Sequence, residues 1–531
     1  MRQRYRITLL IGLLLLTFLS PPVIAGNPVI KDRFSADPAA LVHDGKIYLY
    51  TGHDEATQSD NFFVLKEWNV FSSEDGINWT LESAIPRSTF RWAIHDSAWA
   101  SQAIERDGIF YWYTTVHNSG THAPGYAIGV MTSETPTGPF VDALNEPLID
   151  SAMTNAPEFM GNVPWDNIDP TVFIDDDGSA YLYWGNTHLY YAKLKDTMTA
   201  LDGEIHQIEI EHMPGNFTEG PFIFKREDLY YLTFAYNYPE EIAYATSHSP
   251  TGPWIFQDKI MDKIPNSGTS HPAVIEFNDA WYFIYHNTAL AGGGEYRRSV
   301  AIEPMHFYED GAIAKVTPTA SGIKQKSVTI APSDTDLMLR QVTHALRLAE
   351  SDLTHHDYRW HETSGLTGES GTVSYQINNN PGVYLTINEQ NQPVLSRHDG
   401  SSDFKMRASF IKNEHDLGIS LQPVTNDTLY LSTVENTLTF LPKADLDISM
   451  QTFIIESRPY IVPEQKKPLR NLTTTAETDE EIAALEEQQT ENTPDDSVNN
   501  ALRIGCWLLF SIVITLIVIR FTFKKRTKTT P

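Results

Sequence analysis

The 531-residue chain contains a single cysteine, Cys506, so no disulfide bond can form within it. A protein that leaves the cytoplasm without disulfides takes its stability from its hydrophobic core, and this favours a bacterial envelope protein over a small disulfide-stabilised extracellular domain. The length is sufficient for two or three domains with large cores.

Basic residues are also scarce. The chain has 39 Lys and Arg against 68 Asp and Glu, a formal net charge of −29. Recognition of phosphate groups needs clustered Lys and Arg, so the composition excludes nucleic acid as a partner. Helical periodicity is weak as well, which predicts an all-β protein.

Short strands rich in aromatic residues recur five times. Each follows a turn that contains Asp, Asn, Gly or Glu, which is a hairpin signal. The turns and strands occupy residues 43–50, 106–113, 176–183, 226–232 and 277–285. Repeats of roughly 50 to 70 residues built from short strands indicate a β-propeller, which we assign to residues 27–332.

One residue precedes each of these turns at nearly the same distance. These residues are Asp37, Trp99, Asp169, Glu219 and His271, seven to nine positions before the turn acid. The innermost strand of every propeller blade faces a common axis, so equal offsets predict that the five residues surround one pocket. Three of the five are carboxylic acids.

Structural roles remain open for each candidate. Asp37 is also explained by the Asp-Pro turn at a strand entry, and Glu219 by an exposed turn. Trp99 is equally suited to core packing, and His271 to a hydrogen-bonded core position. The recurrence of Asp-Pro at Asp169 and the common register favour a functional site.

A second repeat occupies residues 334–460. Leu339, Leu385 and Leu431 are spaced by 46 residues, and an aromatic residue ends each unit. The three aromatic residues are Trp360, Phe410 and Phe453. Three β repeats of this size predict a β-trefoil, with a β-sandwich as the alternative.

The two ends of the chain predict export and anchoring. Residues 1–25 have the basic start, apolar run and small final residue of a signal peptide. Residues 464–503 carry nine acids between 471 and 500 and predict a disordered acidic stalk. The apolar residues 504–523 predict a transmembrane helix, and 524–531 a basic cytoplasmic tail. The folded part then lies in the periplasm or on the cell surface, unless the C-terminal segment is a removable sorting tail.

Several short motifs resemble glycoside hydrolase family 43. They are Phe34-Ser35-Ala36-Asp37-Pro38, Ile168-Asp169-Pro170-Thr171, Phe217-Thr218-Glu219-Gly220-Pro221, Thr269-Ser270-His271-Pro272 and Arg297-Arg298-Ser299-Val300. The resemblance covers the whole first domain, in order. It implies a five-bladed propeller that hydrolyses arabinofuranosides or xylosides with inversion and requires no cofactor. The second domain is similar to an arabinofuranose-binding trefoil module at residues 381–385 and 403–410.

The resemblance also implies a role for each residue. Asp37 matches the general base, Glu219 the general acid, and Asp169 the third acid, whose charge we expect to raise the pKa of Glu219. Arg298 matches the arginine that holds a substrate hydroxyl. His271 matches a histidine over a metal ion or water in the axial channel, where a calcium ion would be contacted through water because calcium prefers oxygen ligands.

Trp99 is expected to form part of the sugar-binding wall, although Ala100-Ser101-Gln102 departs from the usual family pattern there. The partner would be a plant or algal oligosaccharide or polysaccharide. Two alternatives stay open: a carbohydrate-binding propeller without turnover, and a retaining five-bladed enzyme that acts on fructosides or other furanosides. The sequence does not distinguish among arabinofuranose, xylopyranose and galactofuranose.

Overall fold

The structure is a computed structural model that describes residues 26–470, apart from 120–122, 155–157, 160–162, 325, 344, 353–354, 444–446 and 461. These residues belong to one compact unit. The predicted signal peptide, transmembrane helix, basic tail and most of the stalk lie outside the described residues. Within the described range, no helix is both long and apolar enough to cross a membrane.

The first three blades are antiparallel sheets in chain order. Blade 1 comprises β1 (Ala36–His43), β2 (Lys46–Gly52), β3 (Glu67–Ser73) and β4 (Thr80–Pro86). Blade 2 comprises β5 (Ala93–Ile94), β6 (Ser101–Arg106), β7 (Ile109–Asn118), β8 (Gly125–Ser133) and β9 (Val141–Asp142). A separate hairpin follows, β10 (Glu158–Phe159) and β11 (Val163–Pro164). Blade 3 comprises β12 (Thr171–Ile174), β13 (Ala180–Trp184), β14 (Leu189–Leu194) and β15 (His206–Ile208).

Two further blades complete the propeller. Blade 4 comprises β16 (Ile210–Glu211), β17 (Phe222–Arg226), β18 (Leu229–Tyr236), β19 (Glu241–Ser247) and β20 (Trp254–Met261). Blade 5 comprises β21 (Ala273–Phe277), β22 (Ala280–Asn287) and β23 (Ser299–Met305). The inner strands β1, β6, β12, β17 and β21 contact one another in sequence, and β21 contacts β1. This closed ring confirms the prediction of a five-bladed β-propeller.

A repeated tyrosine joins each blade to the next. Tyr50, Tyr113, Tyr183 and Tyr231 are buried in the aromatic second strands of blades 1 to 4. The hydroxyl of Tyr50 donates to Pro136 O at 2.8 Å, that of Tyr113 to Met198 O at 2.5 Å, and that of Tyr231 to Gly311 O at 2.8 Å. Tyr183 donates to Pro250 O in the same way. The aromatic strands therefore supply core packing and also satisfy carbonyls on the neighbouring blade.

The C-terminal domain is built from twelve strands and one short helix. They are β24 (Ser327–Pro332), β25 (Leu337–Val342), β26 (Ala345–Glu350), β27 (Trp360–Ser364), β28 (Thr372–Ile377), β29 (Val383–Ile387), β30 (Pro393–Arg397), α1 (Ser402–Arg407), β31 (Phe410–His415), β32 (Gly418–Pro423), β33 (Leu429–Val434), β34 (Thr437–Pro442) and β35 (Phe453–Arg458). Strands β24, β27, β28, β31, β32 and β35 pair in a closed ring. The remaining strands form three hairpins, β25–β26, β29–β30 and β33–β34.

The 46-residue repeat corresponds to this threefold arrangement. Leu339, Leu385 and Leu431 lie in the first strand of the three hairpins, and all are buried in one core. The aromatic residues that end the units lie in β27, β31 and β35 and are fully buried. The sequence spacing therefore marks equivalent core positions in successive units.

Two predicted boundaries differ from the structure. Residues 327–332, assigned to the propeller, form β24, which pairs with β35 along its whole length. Residues 464–470, assigned to the stalk, contact the propeller: the N–H of Leu469 donates to Asp310 at 2.7 Å, and Leu469 packs against the propeller core. The side chain of Leu469 is apolar, and the dense run of acids begins only at Glu477.

Candidate active site

The five residues in equal register lie at the same end of the five inner strands. Asp37 is the second residue of β1, and the other four lie two or three positions before β6, β12, β17 and β21. One pocket is lined by Asp37, Trp99, Asp169 and Glu219, together with Arg298. His271 is buried and does not line this pocket. Its Nδ1 lies 3.8 Å from Asp169 Oδ2.

The two Asp-Pro dipeptides share an unusual backbone conformation. Asp37 has a φ of 48° and Asp169 a φ of 58°. A non-glycine residue in the left-handed region is strained, and such strain is retained mainly where the surrounding structure imposes it, often at functional sites. The repeated Asp-Pro dipeptide therefore does more than begin a strand. In both blades it also places a carboxylate in the pocket wall.

Asp37 is held in its ionised form. Burial alone would raise its pKa, but Arg298 and His286 hold the pKa of Asp37 well below its usual value. Arg298 Nη1 lies 2.7 Å from Asp37 Oδ1, and His286 Nδ1 lies 3.2 Å from the same oxygen. A carboxylate with this environment can accept a proton or orient a water molecule, but it is a poor proton donor.

Asp54 fixes the position of Arg298. Its two carboxylate oxygens accept from Arg298 Nε at 2.9 Å and Nη2 at 3.0 Å, and one also accepts from the backbone N–H of Arg298 at 2.8 Å. The guanidinium lies over the ring of Phe63, 4.6 Å from its centroid. The neighbouring Arg297 instead donates to Thr57 O and Gly292 O. Of these two neighbours, which lie just before β23, Arg298 lines the pocket and Arg297 does not.

Glu219 is the carboxyl group best suited to donate a proton. Its side chain keeps part of its surface open to the pocket, but desolvation and the charge of Asp37 raise the pKa of Glu219 to about 7. Asn186 Nδ2 donates to Glu219 Oε2 at 2.6 Å. The pocket thus combines an ionised Asp37 with a Glu219 that is protonated near neutral pH, the separation of pKa values that acid–base catalysis requires.

Asp169 differs from its expected electrostatic role. Burial and then the charges of Glu219 and Asp37 raise the pKa of Asp169 well above its usual value. Asp169 therefore favours its neutral form, and the like charge that raises the pKa of Glu219 comes from Asp37. The N–H of Gly220 donates to Asp169 Oδ2 at 3.0 Å, so Asp169 is fixed against the residue that follows Glu219.

Trp99 lies in an aromatic wall. It stacks on Tyr126 with ring centroids 4.3 Å apart, and it contacts Trp165 at 5.4 Å. Trp165 and Phe63 also line the pocket. The aromatic faces and buried acids together suit a sugar ring, which has apolar faces and hydroxyl edges.

The predicted role of His271 at a metal ion is not supported by a cluster of metal ligands among the described residues. Burial lowers the pKa of His271 to about 4, so the imidazole is neutral. Among the residues that the structure describes, no three His, Cys, Asp or Glu side chains are grouped so as to hold a metal ion.

Sequence reasoning missed Asn186 and His286 and assigned no role to Asp54. Asn186, His286 and Asp54 lie at or just after the ends of second strands. Antiparallel pairing brings the end of a second strand beside the start of the inner strand, so polar residues at these ends were the available signal.

Comparison with known proteins agrees with the motif resemblance. Residues 25–313 match the family Glycosyl hydrolases family 43, and residues 323–452 match the Alpha-L-arabinofuranosidase B (ABFB) domain. An arabinoxylan arabinofuranohydrolase from Bacillus subtilis is 31% identical over 57% of this chain and 66% of its own length. The arabinoxylan arabinofuranohydrolase of Paenibacillus polymyxa is 29% identical over 57% of this chain and 53% of its own length.

A third relative is the beta-D-galactofuranosidase xynD of Aspergillus niger, which is 28% identical over 57% of this chain and 88% of its own length. The chain spans less than two thirds of the length of the two arabinofuranohydrolases. The family match covers more than half of the chain. The chain therefore belongs to glycosyl hydrolases family 43.

Proposed function

We propose that the protein is an inverting glycoside hydrolase that releases arabinofuranosyl residues from plant or algal polysaccharides such as arabinoxylan. The observation that carries this proposal is the pair of carboxyl groups in one pocket, Asp37 and Glu219, whose pKa values are displaced in opposite directions. Support for the sugar comes from relatives that act on arabinoxylan. Xylosyl substrates are the second candidate because xylosidase/arabinosidases are also relatives.

In the proposed mechanism, Glu219 protonates the glycosidic oxygen while Asp37 removes a proton from the attacking water. The carbon–oxygen bond to the leaving group breaks as the bond to water forms on the opposite face of the sugar. Inversion needs the two carboxyl groups to be ~6.5–9.5 Å apart so that water fits between them. Neutral Asp169 would orient the sugar through a hydroxyl, and Arg298 would hold a second hydroxyl beside Asp37.

A panel of nitrophenyl glycosides offered to a fragment of residues 26–470 tests this function. We expect turnover of the α-L-arabinofuranoside, and a loss of ~10²–10⁴ in kcat for Asp37→Asn and for Glu219→Gln. Early proton NMR spectra should show a product of opposite anomeric configuration to the substrate. Retention of configuration would identify a nucleophilic carboxylate, and an absence of turnover on every glycoside would leave a binding propeller.

We propose that the C-terminal domain is a β-trefoil that binds carbohydrate. The ring of six strands, the three hairpins and the match to the ABFB domain support this. The inactive Asp37→Asn fragment should sediment with insoluble arabinoxylan and be released by free arabinose. A fragment that stays in the supernatant would contradict the assignment.

We also propose export through residues 1–25 and anchoring through 504–523, which cell fractionation would test. No cofactor is required for the proposed chemistry, because the two carboxyl groups supply both proton transfers. A calcium ion near His271, contacted through water, remains a proposal that metal analysis of the purified protein would check.

A further inference from the structure

Asn186 is a polar residue that contacts the proposed acid, Glu219. It lies in the turn between β13 and β14, and its Nδ2 donates to Glu219 Oε2 at 2.6 Å. The Oδ1 of Asn186 accepts the hydroxyl of Thr187 at 3.1 Å. This second hydrogen bond holds the amide with its nitrogen toward Glu219.

The turn that carries Asn186 is attached to the segment that carries Glu219. The backbone N–H of Thr187 donates to Thr218 O at 2.7 Å, and Thr218 immediately precedes Glu219. Thr187 has a φ of 67°, a strained conformation that the surrounding structure must impose. The amide of Asn186 and the carboxyl group of Glu219 are therefore fixed relative to each other by backbone contacts between blades 3 and 4.

The hydrogen bond from Asn186 distinguishes the two oxygens of Glu219. A protonated carboxyl group has one carbonyl oxygen, which accepts hydrogen bonds, and one oxygen that carries the proton. Because Asn186 donates to Oε2, neutral Glu219 is favoured with Oε2 as the carbonyl oxygen and the proton on Oε1. Once the proton has left, the same amide faces a carboxylate, and a hydrogen bond to a charged group is stronger than one to a neutral group. The contact therefore strengthens as the proton is transferred.

We propose that Asn186 is a positioning residue for the acid step: its amide keeps the proton of Glu219 on Oε1 and then stabilises the carboxylate that remains. This inference rests on the proposed function. In the step, the Oε1–H bond breaks and the proton moves to the glycosidic oxygen, which leaves as an alcohol. The electron pair stays on Glu219, which takes up a proton from solvent before the next turnover. Asn186 exchanges no proton and acts on the substrate only through Glu219.

The electrostatics of Glu219 agree with this geometry. Burial and the charge of Asp37 raise the pKa of Glu219, the hydrogen bond from Asn186 lowers it, and the resulting pKa is about 7. Other ionisable groups that interact electrostatically with Glu219 are Arg298, Asp169, Glu240 and Tyr238. They lie on other elements of the propeller, so a substitution at Asn186 leaves them in place and changes only the hydrogen bond.

Two substitutions test the donor, with leaving groups of different quality as the readout. Asn186→Leu keeps a similar volume and removes both polar atoms. Asn186→Asp keeps the shape and the acceptor for Thr187, but when ionised it has no donor toward Glu219. Each full-length variant is assayed on the methyl and the 4-nitrophenyl glycoside of the sugar that the wild type hydrolyses, and thermal unfolding checks the fold. The 4-nitrophenolate ion leaves with little help from an acid, whereas methoxide needs the proton.

For both variants we expect kcat on the methyl glycoside to fall roughly 10- to 100-fold, the usual effect of losing a hydrogen bond to a charged group. On the nitrophenyl glycoside the fall should be no more than about threefold, because this leaving group depends little on the acid. The alkaline limb of kcat/KM should move to higher pH, because the carboxylate of Glu219 is less stable without its donor. The matched control is Asn216→Leu, at an exposed asparagine in the loop before Glu219, which should change neither rate nor limb.

Two results would overturn the proposal. Equal losses on the two glycosides, or an alkaline limb that does not move, would show a purely structural role for Asn186. A limb that moves to lower pH would show that Asn186 stabilises neutral Glu219 instead of its carboxylate. If Asn186→Leu does not fold, Asn186→Asp alone decides. Failure of the proposed function is distinct, because the wild-type protein would then hydrolyse no glycoside.

Discussion

At the scale of single residues, the pocket is organised by one buried cation shared between two carboxylates. Arg298 bonds to Asp54 through two nitrogens and to Asp37 through the third. The bidentate pair fixes the plane of the guanidinium. The remaining nitrogen and His286 keep Asp37 ionised. Glu219 forms no ion pair with a cation among the described residues, and its raised pKa lets it retain its proton. Arg298 and His286, which lower the pKa of Asp37, and burial, which raises the pKa of Glu219, together separate the proposed base from the proposed acid.

The pH dependence of activity follows from this difference. As the proposed proton donor, Glu219 must be protonated to act. Its pKa is about 7, so kcat/KM should fall above about pH 7. The pKa of Asp37 lies well below its usual value, so activity should persist into acidic solution. A pH profile on a small glycoside measures both limbs. An alkaline limb near the ordinary glutamate pKa of 4.5 would contradict the assignment of Glu219 as the acid.

Stability provides an independent control. The pKa of Glu219 is raised in the folded state, so its contribution is complete below pH 4.5 and is lost as pH rises to about 7. Over that range the free energy of unfolding should decline by up to about 3 kcal/mol through this group. Glu219→Gln cannot titrate and should show a flatter profile in urea denaturation.

The site residues that sequence reasoning found share one property. Asp37, Trp99, Asp169, Glu219 and His271 occupy equivalent positions in a repeat, and Arg298 lies in a recognisable motif. Asn186 and Asp54 lie in connections between strands, where length varies from blade to blade. Their roles depend on distances across the axis, which spacing along the chain does not reveal.

At the scale of strands, the long hairpins were predictable and the short pieces were not. The aromatic second strands β2, β7, β13, β18 and β22 lie where their pattern placed them. Strands such as β5, β9 and β16 have two residues each, too few to show an alternating pattern. The misassignment of β24 has a similar origin, since an apolar strand pairs equally well with either domain until its partner β35 is known.

The tyrosine links between blades make a testable contribution to stability. Tyr113→Phe removes the hydroxyl that donates to Met198 O and leaves that carbonyl without this donor. We expect the free energy of unfolding to fall by about 1 kcal/mol, the usual value for such a hydrogen bond. Urea denaturation measures the change. The matched control is Tyr238→Phe, at a residue 73% exposed, which should have no effect. Equal urea midpoints for Tyr113→Phe and Tyr238→Phe would mean that the tyrosine hydrogen bonds between blades do not stabilise the propeller.

At the scale of the whole molecule, the C-terminal domain contacts the loop that leads to Arg298. Arg397 Nη1 donates to Thr288 O at 3.3 Å, and the N–H of Gly292 donates to His398 O at 3.4 Å. A Cβ at Gly382 would lie 3.0 Å from Ala289 O, so the two backbones pack closely. The segment that follows β35 returns to the propeller through Leu469. The N–H of Ala320 also donates to Asn378 O at 2.7 Å. The C-terminal domain is therefore attached at several places, and one of them is the loop that leads to Arg298.

This arrangement changes what a domain deletion should do. A binding module joined by a linker would affect only polymeric substrates, through the local concentration that it provides. Here, removal of residues 327–470 frees the loop of Gly292 and loosens the position of Arg298. We expect kcat/KM on a small glycoside to fall by about 10-fold, since small displacements of positioning groups reduce rate strongly. Activity on insoluble polymer should fall further, because the proposed carbohydrate binding of the domain is lost as well.

The variant Arg397→Ala tests the positioning of the pocket loop separately from polymer binding, within the intact chain. It removes the contact with Thr288 and keeps the rest of the domain, so it should lower activity on small glycosides and leave sedimentation with polymer unchanged. Arg407→Ala is the control, because Arg407 pairs with Asp403 on α1. If the deletion of residues 327–470 leaves activity on small glycosides intact, the loop of Gly292 positions Arg298 without the C-terminal domain. The C-terminal domain would then act on polymer alone, as an independent binding module.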